Sequence, residues 1–168
     1  GSEMCIRDRP WGARVHSAAG VEGFDEVILA CHSDQALALL GDADPVEREV
    51  LAAIRYQPNE AVLHTDATLL PRNRKAWAAW NAHVPRAPSA PCTVSYCMNL
   101  LQGLPGDTPL VVTLNRSEAI DPSKVLRTLH YAHPVHDHAA IRAQQRWPEL
   151  QGRRHTWFAG AYWGWGFH

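Results

Sequence analysis

The hydrophobic pattern divides the chain into short strand-like runs separated by capped helices and proline- or glycine-marked turns. Val27 to Ala30 is a continuous apolar run, the pattern of a strand covered on both faces. Ser33 follows as an N-cap candidate, and Asp34 to Leu40 reads as a helix ending at Gly41. Asp44-Pro45-Val46-Glu47 is a helix start, with Asp44 as cap, Pro45 in the first position and Glu47 able to reach back. That helix presents Val46, Val50, Leu51 and Ile54 on one face.

Further strands are expected at Trp11 to His16, Ala61 to Thr65, Thr93 to Asn99, Leu110 to Leu114 and Thr156 to Ala159. Thr93 to Asn99 and Leu110 to Leu114 are spaced as a hairpin. Val125 to Tyr131 fits strand or helix, with strand favoured by its neighbours. Gly20 and Gly23 read as a turn, Tyr56 to Glu60 as a connector and Pro85 to Pro91 as a loop. Asp137 caps a helix to about Gln145, stopped near Trp147-Pro148. Gly1 to Arg9 has no period and reads as an artefactual or disordered tail.

Composition narrows the classes. At 168 residues the chain is long enough for a real core, and a net charge of −1 gives no case for nucleic acid or anionic membrane. No apolar run reaches the length of a membrane span. Cys5, Cys31, Cys92 and Cys97 form no CxxC pair, so reduced thiols and a cytoplasmic setting are expected. His130, His133, His136 and His138 with Asp137 invite a metal reading, but Pro134 splits the run and the spacing matches no zinc signature; no metal ligand is assigned. Arg72-Asn73-Arg74-Lys75 reads as a solvated basic turn.

The closing stretch carries the most distinctive chemistry. Phe158-Ala159-Gly160-Ala161-Tyr162-Trp163-Gly164-Trp165-Gly166-Phe167-His168 runs from a strand into alternating glycines and large aromatics. Glycine permits close backbone approach and aromatics supply flat contact area. A strand running into a glycine turn at its carboxyl end is how α/β sheets present a ligand site. The same segment also fits a core edge, or a non-catalytic module using a Trp163–Trp165 face to bind a partner.

With Phe24 to Ala36 and Tyr56 to Asp66, this stretch resembles a bacterial family of FAD-dependent, amine-oxidase-like oxidoreductases. The resemblance covers nearly all of residues 20 to 168 and is sharpest at Val27 to Ala36, Tyr56 to Asp66 and Phe158 to His168. It implies an α+β arrangement. Residues 10–55 and 134–168 would belong to a split FAD-binding domain, and 56–133 to an antiparallel substrate-side sheet. The resemblance places Ala30, Cys31, His32, Gly160, Ala161, Trp163, Gly164 and Trp165 at FAD, and Asn99 with Trp165 at the substrate. A small or lipid-like substrate would be oxidised by hydride transfer to the flavin, with no general base assigned. The family's glycine-rich Rossmann segment is not among these residues. The chain is therefore expected to be part of a longer enzyme, inactive alone and needing that segment in cis.

Overall fold

The computed structural model describes residues 4–9 (as backbone), 12–85 and 92–165. Two compact units divide the chain: residues 1–57 with 134–168, and residues 58–133.

The first unit opens with three strands, β1 (Met4–Arg9), β2 (Gly12–Ser17) and β3 (Gly20–Phe24), in an antiparallel sheet of that order. Two expectations change here. Met4–Arg9 pairs with β2 instead of lacking a partner. Gly20 and Gly23 lie inside β3, with the reversal at Ala18-Ala19. Gly12 shows why a glycine is needed in β2: a Cβ there would sit 2.4 Å from the Phe24 carbonyl oxygen.

β4 (Val27–Leu29) leads into α1 (Ser33–Leu39), followed by α2 (Pro45–Ala52). The α2 start forms as expected. The Glu47 N–H donates to Asp44 Oδ1 at 2.9 Å, and the Asp44 N–H donates to Glu47 Oε2 at 2.8 Å. The reciprocal pair satisfies two helix-end donors and stabilises the helix by about 1 kcal/mol. At α1 the cap is His32, not Ser33. The His32 N–H donates to Gln35 Oε1 at 3.2 Å, while Ser33 is the buried first helical residue.

The chain enters the second unit within β5 (Tyr56–His64), longer than expected because the supposed connector is itself extended. There β5, β6 (Trp80–His83), β7 (Thr93–Cys97), β8 (Val111–Leu114) and β9 (Val125–Pro134) form one sheet. Its order is β6-β7-β8-β5-β9, and the β6/β7, β7/β8 and β8/β5 pairs are antiparallel. The anticipated β7/β8 pairing is present, with Tyr96 opposite Val112. Met98 and Asn99 are not its last strand residues, however; they begin a short helix, α3 (Met98–Gln102). In β7 the alternation buries Thr93, Ser95 and Cys97 and leaves Val94 and Tyr96 half-buried. The loop expected over Pro85 to Pro91 falls largely outside the described residues.

Back in the first unit, α4 (His138–Gln145), α5 (Trp147–Leu150) and β10 (Thr156–Phe158) complete the fold. Asp137 caps α4, its Oδ1 accepting from the Ala140 N–H at 2.9 Å. β10 pairs with β4 in parallel, setting Trp157 beside Ile28 and Phe158 beside Leu29. One face of this pair enters the core, where Leu29 and Phe158 meet Ala36, Leu51, Ala143 and Leu150. The other face does not: Ile28 is 67 % exposed and Trp157 is 43 % exposed. The double burial expected for Val27 to Ala30 is thus one-sided among the described residues.

Asp44→Ala removes the α2 cap and the Arg153–Asp44 ion pair at 2.8 Å. It should lower the unfolding free energy of the chain by roughly 1–2 kcal/mol, read from the midpoint of a urea titration at constant slope.

Candidate functional site

β4 and β10 run in parallel, so the residues that follow them leave from the same end of neighbouring strands. The Ala159 N–H donates to the Leu29 carbonyl at 3.0 Å, carrying the ladder to the mouth of both turns. Ala30, Cys31 and His32 leave β4 there, and Gly160 to Trp165 leave β10. The carboxyl end of a parallel pair is where open α/β sheets bind ligands.

The segment after β10 is not an extended aromatic ribbon. Ala161–Trp163 forms one 3-10 turn. Gly160 has φ 159°, and a Cβ on it would lie 2.3 Å from the Tyr162 ring. Only glycine lets Tyr162 fold back, which leaves that side chain 3 % exposed in the core. The Gln144 side chain of α4 holds the turn, its Nε2 donating to the Tyr162 carbonyl at 2.9 Å and the Gly164 carbonyl at 2.7 Å. The Trp147 indole donates to the Phe158 carbonyl at 3.2 Å, and Gln151 Oε1 accepts from the Phe158 N–H at 3.0 Å.

Trp163 is half-buried against the core and tilts over Tyr162 at 4.9 Å between ring centres. Trp165 is 66 % exposed, its ring 5.8 Å from that of His136. The two tryptophans therefore do not share one exposed face, as a partner-binding module would need. Tyr162 Oη and Trp163 Nε1 are buried without a hydrogen-bond partner among the described residues.

On the β4 side, His32 stacks on Tyr56, with ring centres 4.3 Å apart and planes 17° apart. Tyr56 Oη accepts the Ser33 N–H at 2.8 Å, fixing the phenol at the start of α1. Burial raises the pKa of Cys31, Tyr56 and Tyr162, and the proximity of these groups and of Asp34 adds to it. Cys31 is thus held as a thiol and both phenols stay protonated at neutral pH, which supports ligand packing better than nucleophilic attack. Tyr56 and Tyr162 were not among the expected site residues. Tyr56 lies far from β4 in sequence, and Tyr162 looked like one more member of the aromatic alternation.

Asn99, expected at the substrate, lies in the second unit. Its Nδ2 donates to the Thr108 carbonyl at 3.1 Å, and its Oδ1 accepts from the Leu110 N–H at 2.7 Å. It ties α3 to the segment leading into β8 and borders a cavity of about 280 Å³ with Arg74, Trp77, Leu100 and Leu104.

The histidines disperse. His130 approaches Glu60 at 3.6 Å, His133 meets Asn59 at 2.7 Å, and His136 faces Trp165. Among the described residues no three His, Cys, Asp or Glu side chains gather as a metal site, and no helix is long and apolar enough to cross a membrane.

The second unit also buries a polar chain. His64 Nδ1 accepts the Asp66 N–H at 3.1 Å, so the neutral ring carries its proton on Nε2 and donates to Thr113 Oγ1 at 2.8 Å. Thr113 Oγ1 lies 2.7 Å from Ser95 Oγ. Burial lowers the His64 pKa against the opposing pull of Asp66. Burial alone would raise the Asp66 carboxyl. Donors from Asp121, Thr68 and Lys124 outweigh it and hold that group well below the usual range.

The sequence matches no protein-family model and no curated protein. Solved structures do share its fold. One is a CLA-producing fatty acid isomerase from P. acnes, with TM-score 0.59 and 15 % identity over 98 % of this chain and 43 % of that one. Another is a putative protoporphyrinogen oxidase from Exiguobacterium sp. 255-15, with TM-score 0.57 and 13 % identity over 92 % of this chain and 40 % of that one. At these identities the likeness is one of fold, and the chain spans less than half the length of either protein.

Two outcomes test this geometry. Gly160→Ala should cost roughly 1–3 kcal/mol of stability in chemical denaturation, since its Cβ meets a buried ring. Gly23→Ala, facing open space, should be nearly neutral. Acid should destabilise the chain in two steps. The lowered His64 pKa means the unfolded state takes up the proton first, so stability falls as pH drops below about 6.5. The lowered Asp66 pKa removes more below about 3.8. His64→Gln should abolish the first step in urea midpoints measured against pH.

Proposed function

We propose that the chain is part of an FAD-dependent oxidoreductase, similar to flavin-containing amine oxidases, that oxidises a small or lipid-like substrate. The observation that carries this reading is the parallel pairing of β4 with β10. It sets Ala30, Cys31 and His32 at the same strand ends as Gly160, Ala161, Trp163, Gly164 and Trp165. The residues fit a flat aromatic cofactor: a backbone turn held by Gln144, and the His32–Tyr56 stack. The shared fold with a fatty acid isomerase and a putative protoporphyrinogen oxidase supports the same class, the first pointing to a lipid-like substrate.

A bound flavin supplies hydride acceptance, which side chains cannot. The chain's part is to orient and to exclude water. The 159–165 backbone and the 30–32 turn would line the cofactor, and Trp163 and Trp165 would border the substrate space. No charged side chain is assigned a proton-transfer role. The turn after β4 reads Ala30-Cys31-His32 and lacks the glycines that admit a pyrophosphate to a helix N-terminus. We assign that task to polypeptide outside these residues. The exposed Ile28–Trp157 face fits this, since parallel sheets are ordinarily covered on both sides.

Two titrations with FAD test the reading. The 168-residue chain should show no tight stoichiometric binding, whereas the whole natural polypeptide should purify yellow with one FAD. A colourless whole protein that stays colourless after reconstitution would overturn the flavin assignment. Tight binding by the 168-residue chain would overturn the need for another segment.

A further inference from the structure

The second unit contains a cavity that the proposed flavin site does not use. Two single 3-10 turns, Ala67–Leu69 and Arg74–Ala76, bracket a stretch of chain that lines an open depression of about 470 Å³. Its walls are Ala67, Thr68, Leu70, Pro71, Arg72 and Trp77. That volume lies in the range of small-molecule sites, and the lining has their composition, mostly apolar with few polar groups.

Trp77 is the fixed wall. Its Nε1 donates to the Pro71 carbonyl at 2.8 Å, the Arg74 guanidinium sits 5.1 Å from the ring centre, and the ring packs against the Leu70, Cys97 and Val111 cluster. A side chain held this way loses little freedom when a ligand lies on it. The polar wall groups divide by availability. The Trp77 N–H is committed to Pro71, and the Thr68 hydroxyl proton to Asp66 Oδ1 at 2.8 Å. Arg72 has no hydrogen-bond or ion-pair partner among the described residues, so its fork of donors is open. Among the described residues no carboxylate lines the cavity. Neighbouring Asp66 is already compensated by Thr68, Asp121 and Lys124.

We propose that this cavity binds a small amphipathic carboxylate, its apolar body against Trp77, Leu70 and Pro71 and its carboxylate on the Arg72 guanidinium. One planar guanidinium matches one carboxylate. A phosphate would bring more charge than a single cation answers and nothing for the apolar walls. The adjoining 280 Å³ cavity, which also borders Trp77, carries Arg74 and Asp107 together and has no such preference for an anion. This inference does not depend on the flavin reading.

The test is NMR of the 168-residue protein with ¹⁵N-labelled tryptophan, titrated with decanoate kept below its micelle concentration, and separately with decanol and inorganic phosphate. The Trp77 indole resonance, assigned by its loss in Trp77→Phe, should shift saturably with decanoate. Arg72→Gln, at an exposed position, should weaken decanoate by about tenfold and leave decanol unchanged. No saturable shift, equal affinity for decanoate and decanol, competition by phosphate at similar concentration, or an unaffected Arg72→Gln variant would each overturn the proposal.

Discussion

The parallel ladder between β4 and β10 is the constraint on which the candidate site depends. Three residue pairs, Thr156 with Val27, Trp157 with Ile28 and Phe158 with Leu29, join segments more than a hundred residues apart in sequence. A short parallel pair is weak by itself, so its stability must come from what covers it. Leu29 and Phe158 provide that by entering the helical core, where a buried side chain of this size contributes about 1.5–3 kcal/mol. The opposite face, with Ile28 and Trp157, contributes no such burial.

The approach to β10 is held by charge and by strain. Gly152, Arg154 and His155 all have positive φ, at 69°, 51° and 63°, a conformation that costs the two non-glycine residues energy. Arg153 pairs with Asp44, Arg154 with Asp42, and His155 approaches Glu26 at 3.4 Å. Glu26 also accepts from the Trp157 indole at 2.9 Å. These contacts bring the strained turn against the loop before α2 and the start of β4, which aligns β10 for parallel pairing. Beyond β10 the chain meets Gln144, and the same helix that covers the core also fixes the turn at the site.

Local chemistry was legible where one residue type answers one backbone need. The Asp44–Glu47 box, the Asp137 cap and the alternation of β7 were readable because caps and period-two patterns depend on neighbours in sequence. Long-range facts were not. Nothing in Val27 to Ala30 says that only one face would be covered, and nothing in Gly20 or Gly23 says that β2 would draw both into a strand. At the site, Gly160 stood out, but the Gln144 bonds that hold the Tyr162 turn and the stacking of Tyr56 on His32 join residues remote in the chain. Asn99 looked like the end of a strand because helix α3 starts without a capping side chain.

The central claim is that β4 and β10 lie side by side in parallel and so gather residues 30–32 and 160–165. Backbone NMR of the 168-residue chain tests it most directly. Interstrand proton contacts between Ile28 and Trp157 in the parallel pattern, with slow exchange of the Ala159 amide, are the predicted result. Absence of those contacts, or an antiparallel pattern, would place the two turns apart and contradict the account.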